Sequence, residues 1–346
     1  MTGDPHRASG HFSVAGDVAA ISPLAGGNIH RSWRATTAAG HDYLLQEVNT
    51  AVFADVDALM ANVVLVTEHL QARQFPVPAV VLTHDGRRWW RAPDGRAWRT
   101  FEWVSSAHSR EAVESARQAA ELGRWFGRLH AVLAELDAAT LGVTLPAFHD
   151  PRRRLALLAQ AVADDPCERA AAAAEEVEEA MSFRWLLDAA DAIAALPARV
   201  AHNDAKPGNV LLDDRSGRPR ALVDLDTVMP GPLAWDVGDL VRSASCPAPE
   251  DDPRLALDRE CFRCLVEGYL TEAGSLLGAD ELAALGRAGA VITWEQAMRF
   301  LTDHVEGDVY YRTARPGHNL DRSRAQLGLL RSLVDEQAWV DAMLAR

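Results

Sequence analysis

The side chains best placed to do chemistry at a fixed spacing fall in one segment, residues 200–240, VAHNDAKPGNVLLDDRSGRPRALVDLDTVMPGPLAWDVGDL. It opens with His202-x-Asp204-x-Lys206-x-x-Asn209, continues through the apolar NVLL and the turn-rich DDRSGRPR, and closes on ALVDLD. Two short strands joined by that turn bring Asn209 and Asp224 to neighbouring strand ends, with Asp204 on the loop before them. Phosphoryl transfer needs a carboxylate to orient and deprotonate the acceptor hydroxyl. It also needs an oxygen pair to hold Mg²⁺ on the phosphates and a cation to offset charge. Asp204 fits the first need, Asn209 and Asp224 the second, and Lys206 the third. Asp, Asn, Pro and Gly are also ordinary turn residues, so composition alone fits a polar loop. The H-x-D-x-x-x-x-N spacing, followed by a hairpin and a second acidic strand end, argues against that reading.

The elements around this segment differ on its two sides. Before it, SWRATT (Ser32–Thr37) and YLLQEV (Tyr43–Val48) flank the turn-rich AAGHD and read as a hairpin. Next comes a helix whose apolar face holds Val56, Leu59, Met60, Val63 and Leu70. Ala79–Thr83, Arg87–Arg91 and Ala97–Val104 then read as further strands. Beyond Val104 the period becomes helical, in SREAVESARQAAELGRWFGRLHAVLAEL, in ERAAAAAEEVEEAMSFRWLLDAADAIAAL and again from about Asp251. The Ala170–Ala174 run with its glutamates reads as a solvated helix.

Composition sets the outer bounds. The 346 residues are enough for two lobes or domains, and 48% hydrophobic with 24% charged is ordinary globular usage. A net charge of −14 argues against nucleic acid or an anionic membrane as partner. No apolar run reaches the ~18 residues of a spanning helix, and the N-terminus has no signal-peptide pattern. Four cysteines are too few for a disulfide scaffold, which predicts a reducing, cytoplasmic setting.

The chain resembles the aminoglycoside phosphotransferase and choline kinase-like superfamily, two-lobed relatives of the protein kinases, which use H-R-D-x-x-x-x-N and D-F-G for the same tasks. Within it the chain is most similar to N-acetylhexosamine 1-kinases. Leu44–Val63, Leu145–Leu158, Leu222–Gly231, Trp235–Ser243 and Met298–Gln326 carry that likeness. The resemblance implies an α+β, protein kinase-like fold, with a nucleotide-binding lobe at 1–103 and a mainly helical lobe at 104–346. It implies ATP and Mg²⁺ as cofactors and a small-molecule acceptor, an amino sugar or sugar, phosphorylated on its anomeric hydroxyl. By the same resemblance Asp204 is similar to the catalytic base, and Asn209 and Asp224 to the metal ligands. Asp226 touches the metal or acceptor or shapes the strand end. Asp236 braces the loop, and His202 anchors it by hydrogen bonding.

The remaining candidate contacts surround this box. Gly26, Gly27 and Asn28, in Leu24–His30, let a turn approach phosphates. Gln46 stands where protein kinases place a strand lysine, so phosphate charge falls to Mg²⁺, Lys206 and loop amides. Glu68 then has no such lysine to pair with and reads as solvated. Phe101, Glu102, Trp103 and Val104 are expected beside the adenine. On the acceptor side stand Arg299, Asp303, His304 and Tyr310. An i,i+4 ion pair between Arg299 and Asp303 on a solvated face is the bland alternative. His149 and His318 are polar residues in turn-like stretches. Two functional alternatives stay open: a same-fold kinase for an aminoglycoside or amino alcohol, which the −14 charge suits, and a nucleotide- or sugar-binding pseudokinase.

Asp204→Asn is expected to keep the fold and nucleotide binding while turnover falls about 10²–10⁴-fold. A variant within about threefold of wild-type kcat would remove Asp204 from the mechanism.

Overall fold

The computed structural model describes residues 4–345 apart from 25, 26 and 28. A short helix, α1 (Pro5–Ser9), leads into an antiparallel sheet of β1 (Val18–Pro23), β2 (Arg31–Thr37), β3 (Asp42–Val48), β4 (Val80–Val81), β5 (Trp90–Arg91) and β6 (Ala97–Glu102). The strands run in the order β1-β2-β3-β6-β4, and β5 also pairs with β6. The predicted hairpin is present, with Ser32 opposite Gln46. One strand ahead of it escapes sequence reading. β1 is mostly exposed and lacks alternating burial, so VAAISP carries no period-two signal. The glycine turn therefore joins β1 to β2 rather than preceding the first strand.

Helix α2 (Val56–Ala72) buries Val56, Leu59, Met60, Val63 and Leu70 as expected, is N-capped by Asp55, and leaves Glu68 exposed. The next two expected strands shrink to two residues each. β6 lies between β3 and its other partners, so residues 97–100 are all buried, Arg99 included.

The rest is mainly helical: after β7 (Ala107–His108) come α3 (Ala116–Leu133), α4 (Pro151–Asp164), α5 (Ala174–Ser182) and α6 (Leu187–Ala194). The long helix expected across 168–196 is broken by single 3₁₀ turns at Ala171–Ala173 and Phe183–Leu186. Nor is α5 solvated throughout, since Glu176 is buried and accepts from Arg324 at 2.6 Å. The polar segment forms β8 (Arg199–Ala201), β9 (Val210–Asp213), β10 (Pro219–Leu222) and β11 (Met229–Gly231). β9 and β10 make the predicted hairpin, and β11 pairs with β8. Helices α7 (Leu233–Ala244), α8 (Arg259–Ala273), α9 (Ala279–Glu306), α10 (His318–Asp335) and α11 (Gln337–Leu344) complete the chain. No helix among the described residues is long and apolar enough to cross a membrane.

Helices α3 and α8 cross where neither has a side chain. A methyl at Gly123 would lie 2.0 Å from the Leu265 carbonyl oxygen, and one at Gly268 2.4 Å from that of Ala120. The same crossing puts His130 of α3 against Tyr269 of α8, with Nδ1 2.8 Å from the phenol oxygen. Gly268→Ala gains about 1 kcal/mol of helix propensity but drives a methyl into backbone, and overpacking costs about 1–3 kcal/mol. A lower Tm is expected in thermal denaturation. An unchanged or higher Tm would show that the crossing has room.

Candidate active site

The candidate catalytic loop hangs from one buried carboxylate. Asp236, in the first turn of α7, is fully buried. It accepts the backbone N–H of His202 at 2.7 Å, that of Asn203 at 2.5 Å, and His130 Nε2 at 2.8 Å. Burial alone would raise its pKa. His130 and the loop amides outweigh that and hold it below the ordinary value. Asn203 sits at φ +62, a left-handed conformation that Asn tolerates, and donates to the carbonyls of Ala201 and Thr227. The expectation for His202 needs correction. Its ring nitrogens have no hydrogen-bond partner and the ring lies edge-on to Phe126; the anchoring is done by its backbone.

Past this anchor, Asp204, Lys206, Asn209 and Asp224 come together. Lys206 Nζ lies 2.7 and 3.0 Å from the two Asp204 oxygens. Asn209 Nδ2 donates to the Asp204 carbonyl at 2.7 Å and to its carboxylate at 2.9 Å. Burial disfavours both charges, yet each stabilises the other: Asp204 is held well below the usual carboxylate range and Lys206 above the usual amine range. About a quarter of the Asp204 side chain (24%) still opens to the cleft. An ionised, accessible carboxylate is suited to accept a hydroxyl proton's hydrogen bond and so aim that oxygen.

Asp224 follows β10, beside Asn209, because Val223 N–H donates to the Asn209 carbonyl at 2.9 Å. It is also left-handed, at φ 61 and ψ 62. Its side chain is open to the cleft, yet the protein crowded around it displaces enough water, and the Asp226 and Asp204 carboxylates lie near enough, to raise its pKa. Its carboxylate has no hydrogen-bond partner among the described residues. Asn209 spends its NH₂ on Asp204, which leaves the amide oxygen available. Two oxygen donors beside excess negative charge fit a hard divalent cation completed by phosphate and water. Among the described residues no cluster of three His, Cys, Asp or Glu offers a full cage.

On the sheet side a buried cation, Arg99, stands one strand over from Gln46. Gln46 Nε2 donates to Ser32, and its Oε1 accepts from Arg99 Nε at 3.1 Å. Arg99, 2% exposed, makes a two-pronged ion pair with Asp226 at 2.5 and 2.6 Å. His30 Nε2 reaches the same carboxylate at 2.5 Å. Asp226 thus shapes the strand end; its oxygens are taken by Arg99 and His30 and do not face the acceptor cleft. Sequence reading missed Arg99, since a basic residue between Trp98 and Thr100 carries no motif. Gly27 is left-handed at φ +70, as a tight turn requires. Gly26 and Asn28 lie outside the described residues. Phe101 and Glu102 end β6, and Trp103 and Val104 run on beyond it, with Arg34 stacked over Trp103.

On the expected acceptor side a small cleft, open to solvent, lies beside Asp204 and is lined also by Phe148, His149, Asp239, Arg242, Glu295, Gln296 and Arg299. Arg299 is the expected contact that reaches it. Its guanidinium stacks 5.3 Å from the Phe148 ring centre, 5.6 Å from Tyr311 and 6.0 Å from Tyr310. Tyr310 is therefore at the rim, 41% exposed. Asp303 and His304 are placed elsewhere. Asp303 accepts from the Tyr310 and Tyr311 amides and from Asn319, so it fixes the aromatic loop and forms no ion pair with Arg299. His304 is set among Arg169, Arg324, Asp308 and Glu176, and burial lowers its pKa. Asp239 and Arg242, paired at 2.6 Å, and Glu295 were not foreseen. Glu295 lies four residues before Arg299, a spacing that reads as surface pairing until the helix is seen to be buried.

This fold and this constellation are those of a two-lobed, protein kinase-like phosphotransferase. Residues 20–267 match the phosphotransferase enzyme family (APH), and the chain belongs to that family. Its reaction class is phosphoryl transfer to a hydroxyl group of a small molecule. Three solved structures share the fold. An aminoglycoside phosphotransferase from Alicyclobacillus acidocaldarius is 15% identical with TM-score 0.67, over 100% of this chain and 97% of that one. A microcompartment-associated aminopropanol kinase is 18% identical with TM-score 0.61, over 98% of each chain. The amicoumacin kinase hAmiN, in complex with AMP-PNP, Ca²⁺ and Ami, is 16% identical with TM-score 0.59, over 89% and 87%.

Arg99→Met is expected to cost about 3–5 kcal/mol in denaturant unfolding, because it strands the buried Asp226. Adding Asp226→Leu should recover most of that loss. Two single changes that simply add would show that the pair is not coupled.

Proposed function

We propose that this protein is an ATP- and Mg²⁺-dependent small-molecule kinase whose acceptor is a neutral sugar, a hexosamine derivative or related sugar, phosphorylated on its anomeric hydroxyl. ATP lies between the lobes at 1–103 and 104–346, with its adenine near Phe101–Val104 and its phosphates near the turn at 24–30. Asp204 accepts the hydrogen bond of the attacking hydroxyl, aims its oxygen and takes up its proton. Lys206, already shared with Asp204, offsets negative charge as it develops. Asn209 and Asp224 would hold the divalent cation, which when bound neutralises the phosphate oxygens. The complex of hAmiN with AMP-PNP and Ca²⁺ supports a nucleotide and a divalent ion for this reading.

The observation that carries the acceptor assignment is the mixed lining of the cleft. A cationic acceptor calls for carboxylates left free. Here Asp204 is paired with Lys206 and Asp239 with Arg242, Glu295 has His149 at 3.5 Å and Arg154 at 3.8 Å to answer its charge, and Arg299 adds a further donor. Donors and acceptors set side by side suit a ring of hydroxyl groups. The choice of the anomeric position rests on the sequence resemblance to N-acetylhexosamine 1-kinases.

The test is ADP release with Mg-ATP across sugars, N-acetyl and free amino sugars, aminoglycosides and small amino alcohols. A neutral hexose or N-acetylhexosamine is expected to be the best acceptor, with product phosphorus coupled to H1 in the NMR spectrum. Coupling to H3 or H6, or an amino alcohol as best acceptor, would overturn the sugar 1-kinase reading. Asn209→Ala and Asp224→Ala should each raise the Mg²⁺ concentration needed for half-maximal activity; an unchanged requirement in both would refute their assignment.

A further inference from the structure

Two residues that line the cleft, Glu295 and His149, and Arg154 close by carry buried polar atoms without hydrogen-bond partners. Glu295 is 2% exposed, and neither of its oxygens is hydrogen-bonded. His149 Nδ1 lies 3.5 Å from it and Arg154 Nε 3.8 Å, near enough to feel its charge but too far to satisfy it, and both atoms are also without partners. Buried polar groups are nearly always bonded, so a carboxylate and an imidazole nitrogen left unpaired in the lining of a cleft mark a place a ligand fills. The surroundings are fixed. His149 Nε2 is 2.9 Å from the Asn203 carbonyl, one residue before Asp204, and its ring leans on Trp235. Arg154 is tied to the Phe148 carbonyl.

We infer that Glu295 is the specificity-determining residue of the acceptor site, accepting hydrogen bonds from neutral hydroxyl groups of the acceptor on the side away from the reacting oxygen. This rests on the small-molecule kinase reading above and narrows it. The local charge selects hydroxyl over ammonium. Glu295 is one negative group among the guanidinium of Arg154, that of Arg299 one turn along α9, and the imidazole of His149. Burial opposes a charged His149, and Glu295 outweighs that and raises its pKa. Asp239, the other carboxylate that His149 feels, is paired with Arg242, so Glu295 keeps lone pairs to offer but no net attraction for a cation. His149 further links the site to the catalytic loop, because one ring touches both Glu295 and the Asn203 carbonyl.

The test combines Glu295→Gln with singly deoxygenated versions of the best sugar acceptor. The variant keeps the size and loses the charge. A hydrogen bond to a charged group predicts a rise in acceptor KM of about 10–100-fold, with kcat and the KM for ATP within about threefold. One deoxy analogue should show the same loss with wild-type enzyme and little further loss with Glu295→Gln, the pattern of a coupled pair. Replacing that hydroxyl by an ammonium should weaken wild-type turnover at least as much as removing it. If Glu295→Gln fails to fold, the wild-type comparison of hydroxyl, deoxy and amino sugars decides alone, with preference for hydroxyl as the supporting result. Sugar turnover with no sensitive position, an unshifted acceptor KM, or preference for ammonium would overturn the inference and leave the sugar-kinase reading standing. Turnover of amino alcohols and no sugar would overturn both.

Discussion

The site depends on the burial of one carboxylate. Asp236 sits where water cannot reach it, and two consecutive backbone amides and a histidine supply its hydrogen bonds. Those amides belong to the residues just before Asp204, so satisfying Asp236 also fixes the start of the catalytic loop. Losing any donor would leave a dry charge partly bonded, a cost of about 1–3 kcal/mol or more. His130 is in turn held against Tyr269. The position of the candidate base thus traces back through a histidine to the contact between two helices far along the chain.

Charge is arranged around this anchor in distinct ways. Asp204 is paired and stays ionised. Asp224 is unpaired and crowded by like charge, the condition a metal ion relieves. Asp226 is neutralised by Arg99 across the lobes. Three carboxylates within 23 residues of one another along the chain therefore differ in charge environment, set by their neighbours rather than by their residue type.

Much of this was legible in the sequence, but unevenly. The H-x-D-x-x-x-x-N box and the hairpin after it are local features, and local spacing brings Asp204, Asn209 and Asp224 together. Helix α2 declared its buried face by period. β1 could not be read because its strand is exposed and has no alternation. Arg99, Glu295 and Arg242 escaped because each acts through partners distant in sequence or through burial that only packing reveals. Asp303 and His304 show the converse. Their neighbour Arg299 faces the cleft, but helical geometry turns them toward the loop after α9 and toward α10. His202 is in the expected place, yet its ring is unbonded and only its backbone anchors.

The Arg99–Asp226 pair has a mechanical consequence. It joins the sheet to the metal-side turn, and Asn62 on α2 donates to Gly142 and Val228 in the same region. Spreading the lobes at that edge would tear open a dry, two-pronged contact and two amide bonds. The sheet and its helix are therefore pinned to the segment that carries Asp224, so a shift of one drags the other with it.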